Sequence, residues 1–329
     1  MQLTRQQSAV STEASSCPVA PAGAFEGRAT RSSDPALLDR SAKLRTLTAY
    51  VELAKPRILT PVLAAAAAGF CLAAPGPVAL IPLAHTLLAT ALVAAGANAL
   101  NQLLERETDA RMHRTASRPL PTGRLEPSDA LRFGVFCGSV GVLYLALVLN
   151  ALAAFVAAAT LAGYVFVYTP LKMRTHLATL VGAVPGALPP LIGWAAASGT
   201  LNRASAAVFI ILFLWQLPHF LAIAWIYRDD YARADMPLLT RVDANGAAAA
   251  RQIVLYSAAL LPASLLPTAL GLSGTGYFAA ALLLSVAYLA FSVWMAATMS
   301  PASARGLFRF SILHLLLLLG AMTVDKVPY

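Results

Sequence analysis

Asn101, Glu105 and Asp109 stand at i, i+4 and i+8, so a helix through them puts three carbonyl-bearing side chains on one face. Oxygen ligands in that array suit a hard cation such as Mg2+, which takes a carboxylate or two and completes its shell with water and substrate phosphate. Arg111, Arg114, Arg118 and Arg124 follow in the same stretch, and guanidinium forks suit an anion. Acids that hold a metal, followed by arginines that hold what the metal neutralises, spell a diphosphate site. The plainer alternative is a charged cytoplasmic loop whose arginines only fix membrane topology.

Two further groups carry candidate chemistry. Tyr168 and Lys172 are four apart, which puts a phenol and an ammonium on one face if the turn stays helical through Pro170. They read either as another diphosphate anchor or as an interfacial tyrosine with a snorkelling lysine. The run Trp215-Gln216-Leu217-Pro218-His219-Phe220 leads into Tyr227-Arg228-Asp229-Asp230-Tyr231, a second acidic cluster. Its Asp229 also stands four residues before Arg233, the spacing of a simple helical ion pair. Cys17, Cys71 and Cys137 are scattered and form no CxxC or Cys/His group, so neither a disulfide framework nor a zinc site is supported.

The elements that must position these residues are membrane helices. The chain has 329 residues, 58% hydrophobic and only 12% charged, with the apolar residues in long blocks. A helical crossing needs roughly 20 apolar residues. Spans are expected near 57–75, 78–100, 133–150, 152–169, 177–197, 205–226, 252–271, 276–298 and 308–323. This is an all-α membrane protein, nine transmembrane helices rich in the small residues that let helices approach closely in lipid. The acidic ladder continues the second span out of the bilayer. After it, the two prolines of Arg118-Pro119-Leu120-Pro121-Thr122-Gly123-Arg124 predict a stiff, extended segment ending in a glycine turn, either a phosphate clamp or a rigid connector. Pro185, Pro189 and Pro190 predict a break in the fifth span, and irregular backbone at membrane depth must line a protein cavity.

Of the 24 lysines and arginines, only Arg203 and Lys326 fall outside the N-terminal region and the even-numbered loops. The positive-inside rule then puts the N-terminus in the cytoplasm and the C-terminus outside, and brings both acidic clusters to the inner face. The net charge of +9 reports this topology and an attraction for anionic lipid and ligand head groups, with no nucleic-acid signature. Residues 1–45 read as a disordered cytoplasmic tail and 46–329 as the polytopic domain, entered through the amphipathic lead-in 46–57. The arginines and serines of the tail suit a mitochondrial transit peptide, but Glu13, Glu26, Asp34 and Asp39 argue against one, so a bacterial inner membrane is expected. A transporter needs ionisable groups deep in the bundle, and here the acids gather at one face.

The ladder, the RPLPTG loop, the Tyr168-x3-Lys172 pair and the WQLPHF…YRDDY segment together resemble the UbiA superfamily of intramembrane prenyltransferases, and most of all its haem-farnesylating branch. The resemblance runs from about Thr46 to the C-terminus. It implies nine helices around a central cavity. It also implies a Mg2+-dependent transfer of the farnesyl group of farnesyl diphosphate to a vinyl group of haem B, with addition of water, giving haem O. Terminal oxidases or a haem A synthase would be partners of such a product. Residue by residue, Asn101, Glu105 and Asp109 match the first metal motif. The second is met less cleanly: many relatives place acids four apart where this chain has Tyr227 and Tyr231, so Asp229 and Asp230 take that role, and Asp235 replaces a usual glycine. Arg114, Arg118, Tyr168, Lys172 and Arg174 would hold the diphosphate. His219 is the candidate ligand for haem iron, or else a structural histidine. The rival acceptor is an aromatic or quinone precursor; Glu105, where many relatives carry Asp, and the WQLPHF run favour haem.

Overall fold

The computed structural model describes residues 35–239, 243 and 245–327, with side chains from Leu44 onward. The helices are α1 (Pro35–Ala54), α2 (Pro56–Ala73), α3 (Leu80–Ala110), α4 (Pro127–Leu149), α5 (Ala151–Leu171), α6 (Ala178–Ser198), α7 (Arg203–Ile226), the short α8 (Arg228–Arg233), α9 (Ala247–Ala269), α10 (Thr275–Thr298) and α11 (Pro301–Val324). Nine of the described helices, all but α1 and α8, are long and apolar enough to cross a membrane, and the fold is that of a multi-pass membrane protein. A helix satisfies its own backbone, which is what lipid demands of a spanning segment. The helix α1 begins at Pro35, inside the stretch expected to lack structure; its Ala, Leu and Lys content favours helix. Cys17 and the tail up to residue 34 lie outside the described residues.

Small residues set the packing. A Cβ on Gly69 of α2 would stand 1.9 Å from the carbonyl oxygen of Pro190 in α6, and one on Gly193 would stand 1.9 Å from that of Ala66. Between α3 and α4, a Cβ on Gly96 would meet the Gly138 nitrogen at 2.5 Å. Because the obstacle at Gly69 is backbone, it cannot swing aside. Gly69→Ala is therefore expected to cost at least about 1–3 kcal/mol, seen as a lower unfolding midpoint in detergent. Gly320→Ala, whose added methyl meets nothing within 4 Å, should be neutral.

Three irregularities shape the site end. First, α5 finishes in a π-helical turn, Gly163–Tyr168, and the helix runs through Pro170 so that Lys172 still donates its backbone N–H to Tyr168 at 2.9 Å. The widened turn tolerates a proline because its missing N–H needs no partner there. Second, α6 is interrupted between Gly186 and Pro189, as its prolines predict. Gln216 of α7 fills the notch and donates to the Ala183 carbonyl at 2.6 Å. Third, the RPLPTG segment is not extended. It folds into consecutive turns, with Thr122 bonded back to Arg118, Gly123 to Leu120 and Arg124 to Pro119, and Gly123 at φ 69°. Burial of Leu120 and Leu125 against Ala49 and Leu53 of α1 and Ala99 of α3 pulls the loop onto the core. A proline's fixed φ suits the first corner of a turn as well as an extended strand.

Candidate active site

The ladder lies on the last turns of α3, and Asn101, Glu105 and Asp109 are all buried. One turn apart on a neighbouring face, Asn98 donates to the Ala54 carbonyl at 3.0 Å and Gln102 to the Leu53 carbonyl at 2.7 Å. These amides cap the C-terminal end of α1, whose last carbonyls have no partner within the helix. The capped chain then turns through Lys55 in a left-handed conformation, φ 55°, and Lys55 Nζ donates to Asn101 Oδ1 at 3.2 Å. Burial, then the charge of Arg118, push the Lys55 ammonium down to about 7 against the pull of Glu105 and Asp109. Asn101 completes its contacts by donating to Thr169 Oγ1 at 3.1 Å.

Each acid of the ladder meets a cation. Lys172 lies 3.2 and 3.5 Å from the two oxygens of Glu105. Burial alone would lower the Lys172 ammonium, but Glu105 outweighs it, with help from the tyrosine oxygens around it, and the group is held above its ordinary range. Arg118 Nη1 donates to Asp109 Oδ2 at 2.5 Å. Asp109 Oδ1 is buried with no hydrogen-bond partner. Two buried carboxylates thus face three basic side chains, Lys55, Lys172 and Arg118, with no other acid of the ladder among them. Tyr168 lies tilted against Tyr164, ring centres 5.4 Å apart, and a Cβ on Gly182 would strike its ring.

The second acidic cluster comes to the same end of the bundle, with its two aspartates in different surroundings. Asp230 is buried and accepts the backbone N–H groups of His113 and Arg114 at 3.2 and 3.3 Å, just beyond the ladder. It also pairs with Arg233, in place of the Asp229–Arg233 pair that the spacing allows. Burial pushes the Asp230 carboxyl up, yet the Arg114 and His113 amides and Arg233 hold it below the usual range. Arg114 lies over the Tyr227 ring at 4.6 Å and donates to the Tyr231 hydroxyl at 3.2 Å. Asp229 points away, its side chain 87% exposed and 3.8 Å from Arg228. Asp235 has φ 55° and lies 3.5 Å from Arg111. Arg174 is exposed. The structure therefore gathers Asn101, Glu105, Asp109, Arg118, Tyr168 and Lys172, fastens Arg114 and Asp230 beside them, and leaves Asp229 and Arg174 outside. It adds Lys55 and Thr169, which spacing did not single out; the nearest signal was Lys55-Pro56-Arg57 at the membrane face.

Among the described residues no three of histidine, cysteine, aspartate and glutamate converge as a metal cluster. The unpartnered Asp109 oxygen, with Asn101 and Glu105 on the same face, nevertheless fits a hard cation that brings waters and phosphate oxygens for the rest of its shell.

His219 lies in α7, its Nδ1 2.6 Å from Ser311 Oγ of α11 and its ring between Trp215 and Phe308, centres 5.0 and 5.1 Å away. No described residue hydrogen-bonds its Nε2. His314, one turn beyond Ser311, is fully buried against Tyr288.

The UbiA prenyltransferase family profile matches residues 62–316. The chain belongs to the UbiA prenyltransferase family. Among similar UbiA proteins, a protein named protoheme IX farnesyltransferase from Solibacter usitatus (strain Ellin6076) is 47% identical over 286 residues, spanning 84% of this chain and 98% of that one. One of the same name from Myxococcus xanthus (strain DK1622) is 44% identical over 281 residues, 84% and 94% of the two chains. The UbiA fold is shared with a digeranylgeranylglyceryl phosphate synthase structure at TM-score 0.69 and 16% identity, over 85% of this chain and 98% of that one. A UbiA homologue from Archaeoglobus fulgidus bound to DMAPP and Mg2+ superposes at TM-score 0.58 and 15% identity, over 84% and 99%.

Proposed function

We propose that this chain transfers the farnesyl group of farnesyl diphosphate to a vinyl group of haem B, with addition of water, giving haem O and diphosphate. The observation that carries the reading is the buried cluster of two carboxylates facing three cations at the end of α3. Lys172 and Arg118 balance the two carboxylates, and protonated Lys55 adds positive charge beyond them for an anion to meet. The relatives named protoheme IX farnesyltransferase, 40–47% identical over most of the chain, support the acceptor and donor.

Lys55, Lys172 and Arg118 hold the diphosphate oxygens, and Asn101, Glu105 and Asp109 hold Mg2+, with Asp230 close by. When bound, the metal neutralises charge that builds on the leaving group. The remaining work falls to the chain. Its fixed cations face the diphosphate as the C–O bond breaks, in a site where water does not screen them. The allylic cation is attacked by the terminal vinyl carbon of haem. The cation left on the inner vinyl carbon takes up water and loses a proton. Apolar helix faces keep water from the allylic carbon until the C–C bond forms. Burying a 15-carbon tail yields on the order of 10 kcal/mol gross at about 0.8 kcal/mol per CH2. Lipid competes for the same tail, so head-group contacts set specificity. The placement of lysines and arginines supports a cytoplasmic N-terminus and an inner-leaflet site in a bacterial inner membrane, with the tail to residue 45 outside the polytopic domain.

Haem iron falls to His219. Ser311 fixes its Nδ1 and leaves Nε2 for a metal, the arrangement by which a partner group orients a ligating histidine. His219→Ala is expected to weaken haem B binding by about tenfold or more and to leave farnesyl diphosphate binding intact; unchanged haem affinity would remove His219 from the site.

The reading as a whole is tested by incubating purified protein with Mg2+, farnesyl diphosphate and haem B and weighing the extracted haems. A farnesyl-hydroxyethyl adduct that disappears with a chelator and returns with Mg2+ supports it. No haem adduct, with prenylation of 4-hydroxybenzoate instead, replaces haem by an aromatic acceptor.

A further inference from the structure

The end of the bundle away from the ladder holds a second feature that this chemistry does not use. A cavity of about 510 Å3 lies between the ends of α2, α3, α4 and α6, walled by Phe70, Pro82, Leu149 and Ala197 among others. That volume falls within the roughly 300–1,000 Å3 of small-molecule sites. Its rim is the proline-rich turn 75–79, and α4 enters it through a π-helical turn, Leu145–Leu149, a widening that often marks a functional site. His85 and Glu105 are both on α3, twenty residues apart, which at about 1.5 Å per residue is about 30 Å. The cavity is a separate place from the acid ladder.

Its lining is apolar apart from one side chain. His85 reaches the cavity with Nδ1 2.7 Å from the Tyr144 hydroxyl, and no described residue hydrogen-bonds Nε2. In the tautomer whose Nδ1–H donates to the phenol oxygen, Nε2 keeps its lone pair, and the bond behind the ring orients it. No lysine, arginine or carboxylate lines the space, so a phospholipid head group would find no counter-ion inside. At the edge, Lys326 Nζ bonds the carbonyls of Cys71 and Ala74, and Ala74 is itself a wall residue. One imidazole held by a hydrogen bond in an apolar pocket, with an ammonium near the rim, suits a flat apolar ligand that carries a metal centre and peripheral carboxylates.

We propose that this cavity is a second metalloporphyrin site, with iron on His85 Nε2 and a carboxylate of the porphyrin toward Lys326. The inference rests on haem being the acceptor. Its occupant is either acceptor haem held in reserve or farnesylated product on its way out; the ligand chemistry is the same.

The test uses the full chain in phosphatidylcholine nanodiscs, titrated with ferric haem B and followed by the Soret band. Wild type is expected to bind two equivalents. His85→Ala is expected to bind one, with an unchanged initial rate of farnesyl transfer. Ala197→Trp, which fills the space and leaves the histidine in the chain, should also bind one and guards against a folding defect in the first variant. Two equivalents in both variants, or a single equivalent in wild type that is nonetheless farnesylated, overturns the second site and leaves the functional reading standing. No haem bound at all, with another acceptor prenylated, overturns the functional reading itself. After one turnover with farnesyl diphosphate, loss of farnesylated haem from His85→Ala marks a product site, and loss of haem B marks a reserve site. Retention of both overturns the proposal.

Discussion

Asp109→Asn is expected to lower kcat for farnesyl transfer by about 10²–10³-fold, the effect of removing one preorganised charge-stabilising group from a dry site. Asparagine is nearly the same size, and its carbonyl oxygen can still accept from Arg118, which now holds Asp109 Oδ2 at 2.5 Å. What it cannot offer is a second anionic oxygen in the place of Oδ1, which is buried without a partner. The variant should therefore fold. Arg118 is 25% exposed along its side chain and can turn to water, so the unfolding midpoint should move little while turnover collapses. Steady-state rates with saturating farnesyl diphosphate, paired with a thermal melt of the same preparation, separate the two. A large loss of stability with activity per folded molecule preserved would make Asp109 a structural residue.

Lys172→Met is expected to damage both folding and turnover. Glu105 is buried, and Lys172 is the cation 3.2 Å from it. Removing one partner of a buried pair leaves an uncompensated charge, which costs about 3–5 kcal/mol. Glu105→Gln has the mirror effect, since it strands a buried ammonium. The double variant Glu105→Gln/Lys172→Met replaces the pair by neutral groups of similar volume, and such replacements are often near neutral for stability. Stability should return in the double variant while farnesyl transfer does not, because the site has lost both a metal-facing acid and a diphosphate-facing cation. Recovery of activity along with stability would assign this pair to folding alone. Four melts and four rates, wild type included, complete the cycle.

Much of this arrangement can be read from the chain. The spans are legible because lipid forbids most alternatives to helix, and the ladder because a four-residue step keeps side chains on one helical face. Other features depend on contacts that sequence does not display. Lys55 turns inward because Asn98 and Gln102, more than forty residues away, cap the helix before it. Asp229 and Asp230 are indistinguishable as letters, yet the phase of α8 sends one into solvent and the other onto the His113 and Arg114 amides. The RPLPTG loop reads as extended from its two prolines, yet it folds into turns because burial of Leu120 and Leu125 pulls it onto the core. Continuation of helix across Pro170 required a π-helical turn before it, which residue propensities do not announce.

The central claim is that Asp109 grips the metal that accompanies the diphosphate. It is tested most directly by loading the protein with Mn2+ and a non-reactive thiolo analogue of farnesyl diphosphate and recording hyperfine couplings to manganese, with the aspartate carboxylates labelled by 13C. Wild type is expected to show a 13C coupling from a directly ligating carboxylate together with 31P couplings from the diphosphate, and Asp109→Asn to lose the 13C coupling and bind Mn2+ more weakly. A spectrum and affinity that Asp109→Asn leaves unchanged would contradict the account.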